Sequence, residues 1–258
     1  MALVKLLPRE DQAFTYEVNK YQRKIGLLLY TAVITRPNIT FATSRLARFI
    51  TNPSSKHQDA ADRVLLYLQR TNALALQFGG GDGLLVASDA SFADNTLDRK
   101  SSQAYTMKLF GGLIGWRANK QDTVTISTTE AKLLALAQAA KESLFVSRLL
   151  DELTVRLEDQ GIRIQCDNTQ TIRLVNAEVA LLQTKLRHVD IHNHWLRQEA
   201  SSGRIQVEYT PLSDMVADGL TKALQKGAWS RFLLQLGLVD VIRHLDERKQ
   251  EELREIDI

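Results

Sequence analysis

The chain has almost no cysteine: Cys166 stands alone among 258 residues. A single cysteine cannot form a disulfide within the chain, and it excludes a zinc site with two or more thiolate ligands from the same chain. Long apolar runs are also missing, since no stretch approaches the roughly 18 apolar residues that a membrane-spanning helix requires. Positions 1–14 mix charged residues with leucines and lack the apolar segment of a signal peptide. We therefore expect an intracellular protein, in the cytoplasm or nucleus, that is neither secreted nor integral to a membrane.

A strong excess of one charge is absent too. The chain has 33 Lys and Arg against 30 Asp and Glu, which gives a formal net charge of +3. This balance favours polyanion binding only slightly and does not establish it. A hydrophobic content of 44% with 24% charged residues is typical of a globular protein with a real core. Local patterns must therefore indicate the function.

The first third of the chain is predicted to be helical. Proline-containing breakers at 36–38 and 52–54 divide it into helices expected at 21–35, 39–50 and 57–71. The segment 79–83 has four glycines in five residues and interrupts every regular pattern. We expect a helical linker or connection region at 1–82 and a second domain at 83–240.

Beyond this boundary the pattern becomes that of an α/β domain. Alternating apolar residues predict a meander of strands, then a long amphipathic helix at 128–153, further strands and helices, and a charged C-terminal helix or tail at 241–258. A mixed sheet covered by helices is the natural packing for this order. The expected strands are 84–90, 103–110, 113–118, 124–126, 162–166 and 205–209, and the expected later helices are 169–176 and 189–201.

Two acidic residues, Asp89 and Glu130, stand at element ends in this prediction. Strand alternation puts Asp89 on the same face as Leu85 and Ala87, which should be apolar. The alternative is a carboxylate that points outward at the strand end. Glu130 follows Ser127 at the start of the long helix, and the capping-box pattern of Ser127 and Glu130 explains that glutamate without any catalytic role.

Two further acids have similar alternatives. Asp167 and Asn168 follow a strand and precede a helix, where either could be an N-cap, and Asp218 before Gly219 could be a turn residue. Capping does not explain why four carboxylates fall at strand ends and helix starts that can converge on one sheet edge.

Grouped carboxylates are what hard divalent cations require. Mg²⁺ prefers oxygen ligands, and two such ions about 4 Å apart can activate a water and stabilise the leaving oxygen of a phosphodiester. Without metal, closely placed acids would repel one another. The acids Asp89, Glu130, Asp167 and Asp218 are therefore candidate ligands for a pair of cations.

Several short motifs follow one another in a fixed order along the chain. In the second domain they are SDA at 88–90, DRKSS at 98–102, GW at 115–116, KQ at 120–121, STTEA at 127–131, DN at 167–168, TKLRHVDI at 184–191 and ADGLTK at 217–222. In this order the blocks resemble the ribonuclease H domain at the C-terminal end of copia-type retrotransposon polyproteins, particularly fungal ones. The preceding helical motifs, YQRKIG at 21–26, TRPNI at 35–39 and positions 60–71, resemble that family's linker between polymerase and nuclease.

The resemblance implies a ribonuclease H-like mixed five-stranded sheet flanked by helices. It further implies cleavage of the RNA strand of RNA–DNA hybrids with two Mg²⁺ ions, for which Mn²⁺ can substitute, held by the four acids named above. A reverse transcriptase domain of the parent polyprotein is an expected partner, whereas the metal-binding pair of the polymerase is absent from this chain. The sequence departs from the family at Lys132 and Leu133 and at Ser91-Phe92, and we expect these departures to affect substrate contacts rather than the metal site.

Hybrid binding should depend on cations near the phosphates and on groups that sense the 2′-hydroxyl. A solvated surface role is an equal alternative for each candidate. A catalytically silent module retained for nucleic-acid binding or protein assembly is the alternative for the whole chain, and another nuclease of the same fold is a second rival. The candidate substrate contacts are Arg99, Lys100, Ser101, Lys120, Gln121, Asn168, Lys185, Arg187 and His188.

Overall fold

The computed structural model describes residues 6–81, 83–157, 161–176 and 187–243, with only the backbone at 187 and 188. Among these residues no helix is long and apolar enough to cross a membrane. The elements, in chain order, are α1 (Thr15–Ile34), α2 (Thr40–Ala47), α3 (Ser55–Arg70), β1 (Leu74–Leu76), β2 (Leu84–Ser91), β3 (Ser102–Leu109), β4 (Gly112–Lys120), α4 (Thr128–Glu152), β5 (Ile162–Cys166), α5 (Thr169–Asn176), α6 (Arg187–Ser201), β6 (Ile205–Tyr209), α7 (Asp218–Thr221), α8 (Lys226–Gln235) and β7 (Leu238–Asp240).

The described residues form two compact units. The first unit combines residues of Met1–Gln77 with residues of Leu224–Ile258, and the second is Phe78–Ala223. The three helices predicted at the start are confirmed, although α1 begins six residues before the expected position 21. Glu17 explains the early start, because its Oε2 accepts a hydrogen bond from the amide of Phe14 at 3.0 Å and so caps the helix.

The first unit contains a strand pair that sequence patterns do not predict. β1 pairs antiparallel with β7, with Ala75 opposite Val239. This pairing returns the chain after residue 223 to the first unit, so the units are divided differently from the expected limits of 1–82, 83–240 and 241–258. Strands of three residues carry too little alternation to be recognised from sequence. Residues 244–258 of the expected tail lie outside the described residues.

The second unit is built on the mixed five-stranded sheet expected from the sequence. The strand order is β4-β3-β2-β5-β6. β2 pairs antiparallel with β3 and parallel with β5, and β5 pairs parallel with β6. The core between the sheet and α4 contains fully buried residues such as Val86, Leu133, Leu136 and Ile164. The expected α/β class and flanking helices are therefore confirmed.

One expected strand of this unit is wrong. Positions 124–126 form an irregular segment that leads into α4 rather than a strand. The reason is that the amide of Ile126 donates to Glu130 Oε2 at 2.9 Å, so this part of the chain serves the helix start and not a sheet ladder. The other five expected strands and the long helix agree with the structure to within three residues at each end.

Candidate active site

Asp89 lies inside β2, which continues to Ser91, and the residue is only 3% exposed. The alternative of a carboxylate pointing outward at a strand end is therefore wrong. Both carboxylate oxygens have partners. Lys132 Nζ donates to Oδ1 at 2.6 Å, and the hydroxyl of Thr221 donates to Oδ2 at 2.5 Å. These contacts offset the cost of burying the charge.

Asp167 reaches the same place from the neighbouring parallel strand. Ala87 of β2 is paired with Gln165 of β5, and Asp89 and Asp167 each lie two residues further along the chain, with Asp167 directly after the end of β5. Carboxyl ends of parallel strands share one edge of a sheet. Lys132 Nζ is 2.5 Å from Asp167 Oδ1 and therefore bridges the two aspartates.

Asp218 is the first residue of α7 and is also buried. Its carboxylate forms an ion pair with Lys222, four residues further along the chain. Burial raises the pKa of Asp218, and the nearby charges of Asp89 and Asp167 act in the same direction, while Lys222 opposes them. The three aspartates are thus close enough to influence one another, and we call Asp89, Asp167 and Asp218 the aspartate cluster.

Lys132 is the cation at the centre of this arrangement. It projects from α4 and is only 8% exposed. Burial alone would lower the pKa of Lys132, but the charges and hydrogen bonds of Asp89 and Asp167 outweigh that effect and raise the pKa. Lys132 is therefore an ammonium ion in the folded protein. Lys132, which was expected to affect substrate contacts, therefore contacts two of the four candidate metal ligands.

Glu130 caps the start of α4, which is the role that the sequence offered as the alternative to a catalytic one. Its backbone amide donates to Ser127 Oγ at 3.1 Å, and its carboxylate accepts from the amide of Ile126 at 2.9 Å. Glu130 and Lys132 are two residues apart on α4, a spacing at which side chains do not face each other. Lys132 Nζ is the group that lies between Asp89 and Asp167.

The donor chemistry of the aspartate cluster fits a cation. Two carboxylate oxygens from different strands converge on one positive nitrogen, and hard carboxylate oxygens are the ligands that Mg²⁺ prefers. In the described part of the chain, however, no group of three or more His, Cys, Asp or Glu side chains is arranged to hold a metal ion. The ammonium of Lys132 lies between the carboxylates of Asp89 and Asp167. The site for two ions stays a prediction.

Two expected substrate contacts are buried and serve the fold. Ser101 Oγ accepts a hydrogen bond from the amide of Ala93 at 3.0 Å and lies 3.2 Å from Thr125 Oγ1. Gln121 donates to the carbonyl of Ala131 at 2.8 Å, which ties the end of β4 to α4. These positions give Ser101 and Gln121 a structural role rather than an exposed surface for a ligand.

The other expected contacts have mixed positions. Arg99 is exposed and Lys100 half-buried, while Lys120 Nζ forms an ion pair of 2.5 Å with Asp98. Asn168 Oδ1 accepts from the amide of Thr171 at 2.8 Å, so Asn168 caps α5. The side chains of Lys185, Arg187 and His188 lie outside the described residues.

Thr221 is a residue of the site that sequence reasoning missed. Its hydroxyl holds Asp89 Oδ2, although 132 positions separate the two residues. The available signal was its place three residues after Asp218, in the block at 217–222 that carries the resemblance. Asp98 was missed in the same way, and it organises the loop before β3 by accepting hydrogen bonds from Asn95, Lys100 and Lys120.

Comparison with known proteins supports the family. No family model matches the chain. The chain is 33% identical over 207 residues to the Retrovirus-related Pol polyprotein from transposon TNT 1-94 of Nicotiana tabacum, which covers 80% of the chain. It is also 33% identical over 224 residues, 86% of the chain, to the Pol polyprotein from transposon RE1 of Arabidopsis thaliana. The chain spans about 15% of the length of each of these polyproteins.

The chain also matches a solved structure over part of its length. The N-terminal ribonuclease H domain of a Mycobacterium tuberculosis protein matches with a TM-score of 0.40 and 11% identity, and the match covers 58% of this chain and 96% of that one. The two polyproteins come from plants, so the fungal origin stays a prediction. On the strength of these two relatives, the chain belongs to the copia-type retrotransposon Pol polyproteins, of which it represents the ribonuclease H domain region.

Proposed function

We propose that the second unit binds RNA–DNA hybrid and hydrolyses its RNA strand at the aspartate cluster with the help of divalent cations. One observation carries this proposal: Asp89 of β2 and Asp167 at the end of β5 meet at a cation that is already present as the ammonium of Lys132, and the buried Asp218 of α7 lies close enough for their charges to raise its pKa. Grouping three carboxylates in a largely buried site is costly, and hard carboxylate oxygens in such a group suit a bound cation.

The residues that would hold Mg²⁺ or Mn²⁺ are the aspartates of the cluster together with Glu130. When bound, the ions would activate a water and stabilise the leaving oxygen, which yields a 3′-hydroxyl and a 5′-phosphate. The protein's own part is to fix its ligands. Thr221 orients Asp89 through Oδ2, and Lys222 balances part of the charge of Asp218.

Hybrid binding would use the basic groups near β3 and β4, of which Arg99 is exposed and Lys100 and Lys120 are half-buried. Arg99 and Lys100 belong to the loop that Asp98 organises, and Lys120 is held to this loop by its ion pair with Asp98. Cations held in a fixed geometry suit contacts with phosphate, which contribute much of the affinity for nucleic acid and make it dependent on salt.

The test is a cleavage assay with end-labelled RNA–DNA hybrid, with duplex DNA and duplex RNA as competing substrates, in Mg²⁺, Mn²⁺ or EDTA. We expect cleavage of the RNA strand of the hybrid alone, and only with metal. Asp89→Asn should abolish it. Asp62→Asn is the matched control, because Asp62 also pairs with a lysine, Lys24, at 2.6 Å but belongs to the first unit.

A second candidate function is hybrid binding without hydrolysis. The observation that favours it is the pair of ammonium groups, on Lys132 and Lys222, already engaged by the aspartate cluster. This function predicts salt-dependent retention of the hybrid on the protein, with no product at any Mg²⁺ or Mn²⁺ concentration. Product formation by the unmodified protein would exclude it.

A further inference from the structure

We propose that Lys132 is a built-in competitor of the metal, whose ammonium occupies the cation position between Asp89 and Asp167 so that a divalent ion binds only by displacing it. The proposal rests on the proposed function, since it concerns the same aspartates. It adds a property of this chain's own side chains: the ammonium of Lys132, a cation attached to the protein, determines the metal concentration at which the site becomes occupied.

The geometry defines one cation position, not two separate ion pairs. Asp89 Oδ1 and Asp167 Oδ1 are 2.6 and 2.5 Å from the same nitrogen. An ion that binds both oxygens must therefore lie where Lys132 Nζ lies. Two cations in such close contact repel strongly in a buried site. The metal ion and the ammonium therefore cannot occupy this position at the same time.

The surroundings hold the ammonium in place. Lys132 lies on α4, whose neighbours Ala131, Leu133 and Ala135 are all buried against the unit. The helix cannot rotate to carry Lys132 away without exposing that face, which is apolar. The side chain itself must swing out, and its four-carbon stem gives it the freedom to do so.

The charge of the cluster is already largely balanced. Three carboxylates face two ammonium groups, those of Lys132 and Lys222. A buried carboxylate that lacks a partner destabilises the fold. Lys132 therefore allows the unit to fold without metal, and the same contact weakens metal binding. Removal of the lysine should reverse both properties.

The experiment compares the full chain with Lys132→Gln, which removes the charge and keeps a side chain of similar length. Binding of Mn²⁺ is measured by calorimetric titration, and thermal unfolding is followed in EDTA and in Mn²⁺. We expect Lys132→Gln to bind Mn²⁺ roughly tenfold or more tightly than the unmodified chain, because one competing buried charge is gone. We also expect its Tm to fall in EDTA and to recover in Mn²⁺, while the Tm of the unmodified chain changes little. Lys24→Gln, which breaks a lysine–aspartate pair in the first unit, should leave Mn²⁺ affinity unchanged.

Equal Mn²⁺ affinity in the unmodified chain and Lys132→Gln would overturn the proposal, as would a folded Lys132→Gln protein that binds no Mn²⁺. Cleavage of hybrid by the same proteins is scored separately. Absence of product from the metal-loaded unmodified chain would overturn the proposed hydrolysis while the competition between Lys132 and metal stands.

A second measurement keeps the proposal testable if Lys132→Gln does not fold. The side-chain ¹⁵N resonance of Lys132 in the unmodified chain is followed by NMR during a Mg²⁺ titration. We expect this resonance to shift toward that of a solvated lysine over the same Mg²⁺ range in which the protein binds the ion. Saturation with Mg²⁺ while the Lys132 resonance stays constant would contradict displacement.

Discussion

At the scale of single residues, Asp89 shows how a buried charge is kept in place. One of its oxygens accepts from an ammonium and the other from the hydroxyl of Thr221. A hydrogen bond to a charged group contributes more than one between neutral groups, and a buried carboxylate oxygen that loses its donor is penalised. Thr221 should therefore influence stability as well as the orientation of Asp89.

Replacement of Thr221 by valine tests this contribution. Thr221→Val keeps the shape of the side chain and removes the hydroxyl, so we expect the free energy of unfolding to fall by about 1–3 kcal/mol. Urea denaturation measures the change. Thr221→Ser retains the hydroxyl, so its free energy of unfolding should fall clearly less. An equal fall in both variants would contradict the role of the hydrogen bond.

Glu130 allows capping and catalysis to be separated. In Glu130→Gln the amide oxygen can still accept the hydrogen bond from Ile126, so the start of α4 should persist and stability should change by less than about 1 kcal/mol. Cleavage of hybrid should be lost, because a neutral amide is a poor ligand for Mg²⁺. Full cleavage by this folded variant would show that Glu130 caps α4 and is not needed for cleavage.

At the scale of elements, the start of α3 carries a titratable cap. His57 is fully buried and stacks on Phe49 with ring centroids 4.0 Å apart, and its Nδ1 accepts from the amide of Ser54 at 2.9 Å. This acceptor role requires neutral imidazole. Burial lowers the pKa of His57, although a backbone hydrogen bond with Leu7 opposes the shift.

The sign of the resulting pH dependence follows from proton binding. Below the unfolded pKa of about 6.5 the unfolded chain takes up a proton at His57 that the folded chain refuses, so stability falls as pH decreases. Above that pH both states are neutral at His57 and no dependence arises from it. Urea denaturation at pH 7.5 and 5.5 measures the loss. His57→Gln retains an acceptor for Ser54 without titrating and should reduce the loss, so an unchanged pH dependence would exclude His57 as its source.

At the scale of the whole molecule, the two units have separate cores. The second unit contains all five strands of the large sheet, whereas α8 and β7 complete the first unit. Phe232 and Leu236 are almost fully buried, and the ring of Trp229 meets Tyr67 of α3 edge to face, with centroids 5.9 Å apart.

Truncation after Ala223 tests this division. We expect faster amide hydrogen exchange in α1–α3 and β1, because β1 loses its partner strand and the helices lose buried side chains. Exchange in β2, β3 and β5 should stay close to that of the full chain. Mass spectrometry resolves the two sets of peptides. Faster exchange in the large sheet would show that its stability depends on the C-terminal segment.

Much of this architecture could be predicted from local pattern. The alternation of apolar residues predicted the bounds of β2, β3 and β5 to within one residue, and helical periodicity predicted the end of α4 to within one residue. Lys132 was recognised as a departure, yet its contacts with Asp89 and Asp167 lie 43 and 35 positions away in the chain. Contacts at that separation depend on how β2, β5 and α4 pack, which no window of sequence contains.

The sequence by itself determined the elements and the supply of carboxylates, because side-chain periodicity and capping act over a few residues. Only the tertiary structure decided which charges meet. The parallel pairing of β2 with β5 brings Asp89 beside Asp167, and the packing of α4 on that sheet places an ammonium between them. Burial removes the water that would otherwise screen these charges, so their energies depend on the folded arrangement.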